Sequence, residues 1–559
     1  MSTVIATDTA TTVSRPPVRR RPQVSRWWGV TLFVSLTGLY FTVGVVLMLR
    51  YNLFDTDAAS RVANAGFTFM SRDPHLSAIG FVWNPLPAVV EIPFVWLSQW
   101  WPPLKTHTLA GAAQSSLFMA GAVVMLRSIA MDRGMGAGWR RLIVAGFALH
   151  PVIIIFGQSG MSEAAEIFCL LWAIRYLLLW METALITDLA WAAVALGVGY
   201  LARYELVVAA CGAALLVGVV TVSRTQNGHR LTTAALVVLI LLLPITVAFV
   251  VWALSGWVLA DELFAQLSSR YGNAAQVSSW VERQGGVRPP TSPWPVVAGR
   301  LFAMQPMVLL ATGIAIYLSL SRKRYELLVP LAVIGPILIF AVYGQRAPTT
   351  FGFFRFYITA IPLVACIAVV CWRRAATPPK PDRAARLVGG FLVCTSVLVA
   401  IPVTSVAMLD RRIGDIQLQF GLNSLIFPER FTTADTWYRR INVNGRQAAK
   451  FFDDQHLPPG SVLMDTANSW GIWLASNNPK QFVITSDYDF IEALNRPWDK
   501  GIKYVVISSP NHYNADALNV RYPSLWETGA GIGRPALSVS GADGVEAYRI
   551  YEMIEPPKS

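Results

Sequence analysis

The sequence predicts an all-α polytopic membrane domain of about eleven transmembrane helices, followed by a small extracytoplasmic α/β domain. Hydrophobic residues make up 54% of the 559 residues and charged residues only 14%, whereas roughly a quarter of the residues in soluble proteins are charged. The mean hydropathy is +0.46. Apolar runs of membrane-span length recur as far as residue 409, and beyond it strand-like and helix-like segments alternate.

The N-terminal segment, residues 1–26, is Ser/Thr-rich and then Pro/Arg-rich, which predicts a disordered cytoplasmic tail. The apolar run 27–49 is too long for the core of a signal peptide, and no small-residue cleavage pattern follows it before Asp55. We therefore expect a retained signal anchor that begins the membrane domain, residues 27–409.

Further apolar runs along that domain predict the remaining spans, several of which need flanking residues to complete the crossing. They are residues 108–131, 142–156, 164–180, 189–201, 206–222, 231–258, 296–320, 327–342, 356–372 and 387–409.

The Pro-rich stretch 85–101 is apolar but is not expected to cross the membrane. If it does not cross, the basic clusters near residues 15–26, 133–141, 224–230, 322–324 and 373–386 all fall on one side, as the positive-inside rule requires. We interpret it as a re-entrant or interfacial helix that closes an outer loop, residues 51–107. A second outer loop spans 259–295, and residues 410–559 form the outer domain.

Charge and cysteine patterns exclude two other classes of protein. The net charge of +13 comes from short basic clusters between apolar runs instead of one basic face, so no nucleic-acid partner is expected. The five cysteines lie inside apolar runs without the close pairing of a zinc or redox site.

The outer domain is predicted from strand-like runs at 461–465, 481–485, 503–508 and 545–551, which alternate with helical runs at 468–475 and 489–495. Four tryptophans in this domain could stack on a glycan, but we expect them to pack in its core. They are Trp470, Trp473, Trp498 and Trp526.

Asp55 and Asp57 are the first acids after the first span. Partial burial and a second acid nearby both favour the protonated form of a carboxyl, which suits general-base work on an acceptor hydroxyl. The alternative is that they cap the helix that follows, because Asp is favoured at helix N-termini. Spacing alone leaves both readings open.

Other charged residues stand at predicted outer ends of spans. Glu163 could orient a substrate or cap the following helix. Arg203, Arg346 and Arg355 could bind an anionic phosphate or extend toward lipid headgroups, and Glu205 is a pairing partner for Arg203.

Several of these segments together resemble the outer-loop motifs of the GT-C superfamily of membrane glycosyltransferases, in its protein-mannosyltransferase-like branch. The resemblance covers residues 27–372. It is carried by Asp57-Ala58-Ala59-Ser60-Arg61, Arg72-Asp73-Pro74, Trp83-Asn84-Pro85-Leu86-Pro87, Gly160-Met161-Ser162-Glu163, Arg203-Tyr204-Glu205, and Arg355-Phe356-Tyr357 leading to Pro362.

The resemblance implies a polyprenyl-phosphate-linked sugar donor, an inverting transfer and a first-loop aspartate as base. Asp57 matches the family position, and Asp55 is an additional acid. Arg203, Arg355 and Arg346 would bind the donor phosphate. Glu163 and Glu205 would orient the acceptor or a cation.

No cofactor is required by the resemblance, although some relatives hold a divalent cation with a D-x-D motif. Here Mg²⁺ or Mn²⁺ would be held by Asp55, Asp57 and Glu163. The expected partners are the donor lipid, membrane lipids and a glycan, lipid or protein acceptor, for example in cell-wall biosynthesis, at the outer face of a bacterial cell membrane. The loop 259–295 would be a mobile cover over the donor.

Two alternatives remain at this stage. A polyprenyl-lipid flippase or transporter would be favoured by charges midway along many spans and by an internal repeat, neither of which the sequence displays. A catalytically inactive GT-C-like scaffold would have a dispensable Asp57.

Overall fold

The computed structural model describes residues 26–225, 228–265, 269, 272, 275–278, 293–346, 352–372, 383–430, 437–510, 516–541 and 544–554. The predicted tail before Arg26 and most of the predicted outer loop 259–295 lie outside these residues.

Eleven helices, α1 to α11, occupy the first half of the described chain. In order they are Arg26–Val45, Thr56–Met70, Leu86–Trp96, Pro103–Thr106, Leu109–Asp132, Ala137–Ala148, Pro151–Phe156, Glu163–Thr183, Ile186–Tyr200, Leu206–Arg224 and Arg230–Ala260.

In the described residues, seven helices, α12 to α18, follow α11. They are Trp294–Met304, Val308–Ser321, Leu328–Arg346, Ala360–Val370, Arg383–Thr395, Ile401–Leu409 and Ile416–Ile426. A 3₁₀ turn, Phe354–Tyr357, precedes α15.

The apolar helices make this a multi-pass membrane protein. Among the described residues, seven helices are long and apolar enough to cross a membrane, and the pair α12 and α13, bent by 78°, adds an eighth if it counts as one span. The expected number of eleven is not confirmed. Run 142–156 is two short helices, α6 and α7, because Pro151 lacks the N–H that would continue α6. Runs 189–201 and 356–372 also form short helices.

The first outer loop is built on α2 and α3, which pack against each other and against α5. Asp55 caps α2, since its side chain accepts a hydrogen bond from the Asp57 N–H at 2.9 Å. The Pro-rich stretch is helical, as α3, and the Leu86 N–H donates to the Leu201 carbonyl at the end of α9. This bond ties the loop to the membrane helices beside it.

The C-terminal domain contains helices α19 to α23, namely Trp437–Asp453, Thr466–Ala475, Phe490–Asn495, Ala517–Arg521 and Leu525–Thr528. Its strands β1 to β5 are Val462–Met464, Phe482–Val483, Tyr504–Ser508, Gly533–Ser540 and Glu546–Met553.

Within the described part of this domain the five strands form one sheet in the order β2-β1-β3-β5-β4. Strand β1 is parallel to β2 and β3, whereas β5 is antiparallel to both of its neighbours. Four of the strands match the expected positions. The unexpected one is the edge strand β4, where Pro535 adjoins a register shift. Trp470, Trp473 and Trp526 are buried, as expected for core residues. Trp498 is only half-buried, and its Nε1–H donates to the Ile554 carbonyl at 2.8 Å.

The C-terminal domain is attached to the first outer loop by ion pairs and hydrogen bonds. Arg72, just after α2, pairs with Asp487 at 3.1 Å and also contacts Asp489. The Lys105 Nζ donates to the Ser476 carbonyl oxygen at 2.7 Å. Burial lowers the pKa of Lys105 to about 8 and raises that of Asp487 to about 7. The domain therefore packs directly on the loop that carries Asp55 and Asp57.

Candidate active site

The centre of the candidate site is the guanidinium group of Arg355, which contacts three acids. Its Nη2 lies 2.8 Å from Asp57 Oδ2 and its Nη1 lies 3.3 Å from Asp55 Oδ2. Its Nε lies 3.5 Å from Glu163 Oε1. Arg355 is 300 residues from Asp55 in sequence, so the fold brings together the start of α2, the start of α8 and the turn before α15.

Local structure explains why each acid stands there. Asp55 is the N-cap of α2 and Asp57 lies in its first turn, while Glu163 is the first residue of α8. The partial positive charge of a helix N-terminus favours carboxylates at these positions. The capping alternative and the functional one are thus compatible at Asp55, because it both caps α2 and contacts Arg355.

Arg203 forms a second charged cluster next to the first. Its guanidinium contacts Glu163 Oε1 at 3.1 Å and Glu205 Oε1 at 2.6 Å. Its Nε lies 3.3 Å from Glu166 Oε2. Because Glu163 contacts both Arg203 and Arg355, the two clusters form one continuous network at the N-terminal ends of α8 and α10.

The three acids around Arg355 differ in how far their side chains are exposed to solvent. The Asp57 side chain is 28% exposed, that of Asp55 14% and that of Glu163 only 1%. Burial raises the pKa of Asp55 to about 7, against the opposing effect of Arg355 and with a contribution from Asp57. Asp57 is therefore the acid of the three that a substrate reaches most easily.

Three charged residues that the sequence did not assign to the site contribute to it. Asp415, after α17, accepts hydrogen bonds from the backbone N–H groups of Phe354 and Arg355, the latter at 3.0 Å. Burial raises the pKa of Asp415. Glu166 belongs to the Arg203 cluster described above.

Arg61 is the third, and it lies one helical turn after Asp57. It is 5% exposed, its Nη1 lies 3.5 Å from Met161 Sδ, and it stacks on Trp83 with 5.0 Å between Cζ and the ring centroid. The four-residue spacing from Asp57 on one helix face was the available sequence signal. Asp415 had no comparable signal.

Arg346 is the third arginine expected to bind the donor phosphate. It lies at the end of α14 with its guanidinium 4.9 Å from the ring centroid of Trp294. Arg203 and Arg355 thus share one network through Glu163, and Arg346 lies against an aromatic ring.

A small cleft opens beside the network. Its polar end is formed by Arg203, Arg355, Glu166 and Glu205, and its apolar wall by α14 residues such as Ile337 and Phe340. Neighbouring α14 side chains, Ile339 and Tyr343, are 71% and 65% exposed. The apolar wall therefore adjoins the surface that faces lipid.

The three acids considered as cation ligands are arranged around Arg355. In the described part of the chain, no three His, Cys, Asp or Glu side chains are grouped so as to hold a metal ion. Asp55, Asp57 and Glu163 direct oxygens at the three nitrogens of one guanidinium instead. These side chains, as placed, do not fit a divalent cation.

No protein-family model matches the chain, and no curated protein matches its sequence. Several solved structures are similar to it, among them archaeal oligosaccharyltransferase AglB from Archaeoglobus fulgidus in complex with an inhibitory peptide and a dolichol-phosphate. That match has 11% identity and a TM-score of 0.45, and covers 93% of this chain and 74% of the other.

Two further structures of the Archaeoglobus fulgidus oligosaccharyltransferase are similar. One, a complex with Zn and sulfate, has 12% identity and a TM-score of 0.45, and the match covers 92% of this chain and 72% of the other. The other, tethered to an acceptor peptide containing the NVT sequon, has 11% identity and a TM-score of 0.40, with 94% and 74% covered. At these values the likenesses assign no activity to this chain. The neighbours are GT-C superfamily membrane glycosyltransferases, the superfamily whose outer-loop motifs this sequence resembles.

Proposed function

We propose that the protein is a membrane glycosyltransferase that moves a sugar from a polyprenyl-phosphate donor to a hydroxyl-bearing acceptor. The observation that carries the proposal is the position of Arg355, which pairs with the most exposed acid of the network, Asp57, and also lines the cleft with Arg203. The proposed base, two anion-binding guanidinium groups and the apolar wall of the cleft therefore lie next to one another.

Asp57 is the proposed base. Its ion pair with Arg355 uses Oδ2, and its side chain is the most exposed of the three acids that contact that guanidinium. The ion pair holds the carboxylate in one orientation, so that Oδ1 can accept the proton of the acceptor hydroxyl. Positioned general bases accelerate such steps by about 10²- to 10⁴-fold.

The cleft is the proposed donor site. The apolar wall of α14 suits the polyprenyl chain. The guanidinium groups of Arg203 and Arg355 line the cleft, and their positive charges suit the anionic phosphate. Arg346 is not used in this proposal, since it lies over Trp294.

The reaction balances without a further reactant. The acceptor oxygen loses its proton to Asp57 and forms a bond to the anomeric carbon, while the bond between that carbon and the phosphate oxygen breaks. The electron pair leaves with the polyprenyl phosphate, whose charge the two guanidinium groups stabilise. Attack from the side opposite the leaving group inverts the anomeric configuration. Glu163 keeps Arg203 and Arg355 in place by contacting both.

We infer the sidedness from the basic clusters. The network lies at the ends of α8 and α10 opposite Arg224, which belongs to a basic cluster expected in the cytoplasm. The network and the C-terminal domain would thus face the outside of a bacterial cell. External protease added to intact cells should cleave the C-terminal domain, and full protection would contradict this orientation.

The test of the activity uses purified protein in closed proteoliposomes and a panel of radiolabelled polyprenyl-phosphate sugars. Asp57→Asn, which keeps the size of the side chain, should reduce transfer at least about 100-fold. The matched control is Asp454→Asn, which removes the charge of a 63%-exposed acid in the C-terminal domain and should leave transfer unchanged. Equal turnover by wild type and Asp57→Asn would contradict the proposed base. Movement of the donor lipid across the bilayer without transfer would favour the transporter instead.

A further inference from the structure

The acids around Arg355 form a cation site that the chain itself fills. Each of the three guanidinium nitrogens faces a different carboxylate, at 2.8 Å for Asp57, 3.3 Å for Asp55 and 3.5 Å for Glu163. These are the three acids that a D-x-D arrangement would use for a divalent ion. One positive charge therefore already stands among them.

Hydrogen bonds from the backbone N–H groups of Phe354 and Arg355 to Asp415 hold Arg355 in this position. Both carboxylate oxygens of Asp415 accept N–H groups, one from Phe354 and one from Arg355. The Phe353 ring centroid lies 4.3 Å from the Arg355 Cζ. Arg355 is 5% exposed, so its side chain is largely buried among Phe353 and the three acids.

A divalent ion and this guanidinium would compete for the same oxygens. Mg²⁺ and Ca²⁺ require several oxygen ligands at about 2.0–2.6 Å around one point, whereas the planar guanidinium spreads its N–H donors over several ångströms and binds the acids from three directions. An ion placed between the acids would also be repelled by the guanidinium charge.

We propose that Arg355 takes the place of a divalent cation, holding Asp55, Asp57 and Glu163 as a built-in charge so that sugar transfer needs no metal. The inference rests on the proposed function for the reaction itself, but the cation site can be tested without it. Besides its proposed contact with the donor phosphate, Arg355 would then orient the Asp57 carboxylate toward the acceptor.

Binding of Mn²⁺ to the purified full-length protein, followed by electron paramagnetic resonance, tests the site directly. With about 1 mM Mn²⁺ in solution, wild type should bind no stoichiometric Mn²⁺. Arg355→Ala should bind about one Mn²⁺ per chain, and adding Asp57→Asn to that variant should abolish the binding. Arg534→Ala removes an exposed arginine that pairs with Glu552 and is the matched control, expected to behave as wild type.

A stoichiometric Mn²⁺ on wild type that Asp57→Asn removes would overturn the proposal, and so would a folded Arg355→Ala variant that binds none. If Arg355→Ala does not fold, the wild-type result still decides. Transfer by wild type should be the same within about twofold in EDTA as in Mn²⁺, and a loss of tenfold or more in EDTA, restored by Mn²⁺, would also overturn it. If no polyprenyl-phosphate sugar supports transfer at all, the proposed function fails, while the Mn²⁺ measurements still decide the role of Arg355.

Discussion

Trp473 lies so close to Gly66 that a Cβ atom added to Gly66 would be 2.5 Å from Trp473 Cη2. Trp473 belongs to α20 of the C-terminal domain and is fully buried. Gly66 belongs to α2, whose first turn carries Asp57. The Trp473 ring also packs edge-on against Phe67, with centroids 4.8 Å apart. The C-terminal domain therefore packs directly on α2.

The substitution Gly66→Ala should weaken this support. The added methyl group has to displace a buried indole ring, and overpacking of this kind costs about 1–3 kcal/mol. We expect a lower melting temperature in detergent and faster proteolysis of the C-terminal domain.

Gly471→Ala on α20 is the matched control, because a Cβ there would meet no atom within 4 Å. Alanine is favoured over glycine in helices by about 1 kcal/mol, so this variant should be at least as stable as wild type. If the Gly66→Ala protein is as stable as the Gly471→Ala protein, the Trp473 ring can move without loss of stability, which would contradict the prediction.

Local patterns predicted much of the fold. The apolar runs matched the long helices, and the strand runs matched β1, β2, β3 and β5, because span length and strand alternation are written in consecutive residues. Strand β4 was not predicted, because its residues are mostly exposed and Pro535 lies within it. The number of spans could not be predicted either, because the length of an apolar run does not determine whether a short helix crosses the membrane.

The candidate site was predictable only in part. Asp57, Glu163 and Arg203 stood in motifs at the ends of apolar runs, where their type and position carried the signal. The pairing of Arg355 with Asp57 and its clamp by Asp415 were not predictable. They join residues 298 and 60 positions apart, and a contact between distant side chains leaves no period or spacing in a single sequence.

The close approach of the loop before α8 to α2 predicts that a substitution of Gly160 impairs transfer. Gly160 has φ of +78°, and a Cβ there would lie 3.0 Å from Gly111 Cα and 3.1 Å from Ala58 Cβ. Gly160→Ala is therefore strained and would separate Glu163 from Asp57. Because small displacements of catalytic groups are costly, we expect kcat/KM for transfer to fall about 10- to 100-fold.

The control for that variant is Gly136→Ala, at a position with negative φ where a Cβ would meet no atom within 4 Å. It should retain activity within about twofold of wild type. Full activity in Gly160→Ala would mean that the distance between the two loops is not important for transfer.

The contact between Glu205 and Arg203 predicts competition with the donor. Glu205 lines the cleft and holds Arg203 at 2.6 Å, so an incoming phosphate meets a guanidinium that already has an anionic partner. Glu205→Gln removes that negative charge and should lower the KM for the donor by roughly 5- to 30-fold, about 1–2 kcal/mol. Glu552→Gln, in an exposed ion pair of the C-terminal domain, should leave the donor KM unchanged. An increased KM in Glu205→Gln would indicate that Glu205 positions Arg203 for the phosphate.

The raised pKa of Asp55 predicts how stability depends on pH. Burial moves this pKa from 3.8 to about 7 in the presence of Arg355, Asp57 and Glu163. Between these values the folded protein keeps the Asp55 proton that the unfolded protein releases. The stability that Asp55 contributes is therefore complete below about pH 4 and is lost as the pH rises through 7.

Asp55→Asn removes this contribution, so the melting temperature of wild type minus that of Asp55→Asn should decrease steadily from pH 4.5 to pH 7.5. The buried acids Asp487 and Asp516, whose pKa values burial also raises to about 7, are present in both proteins and cancel in the difference. A difference that stays constant or grows with pH would mean that the ion pair with Arg355 outweighs burial and keeps Asp55 charged. Asp55 would then be a full partner of Arg355 at every pH at which the protein is folded, and its role as a cap of α2 would be secondary.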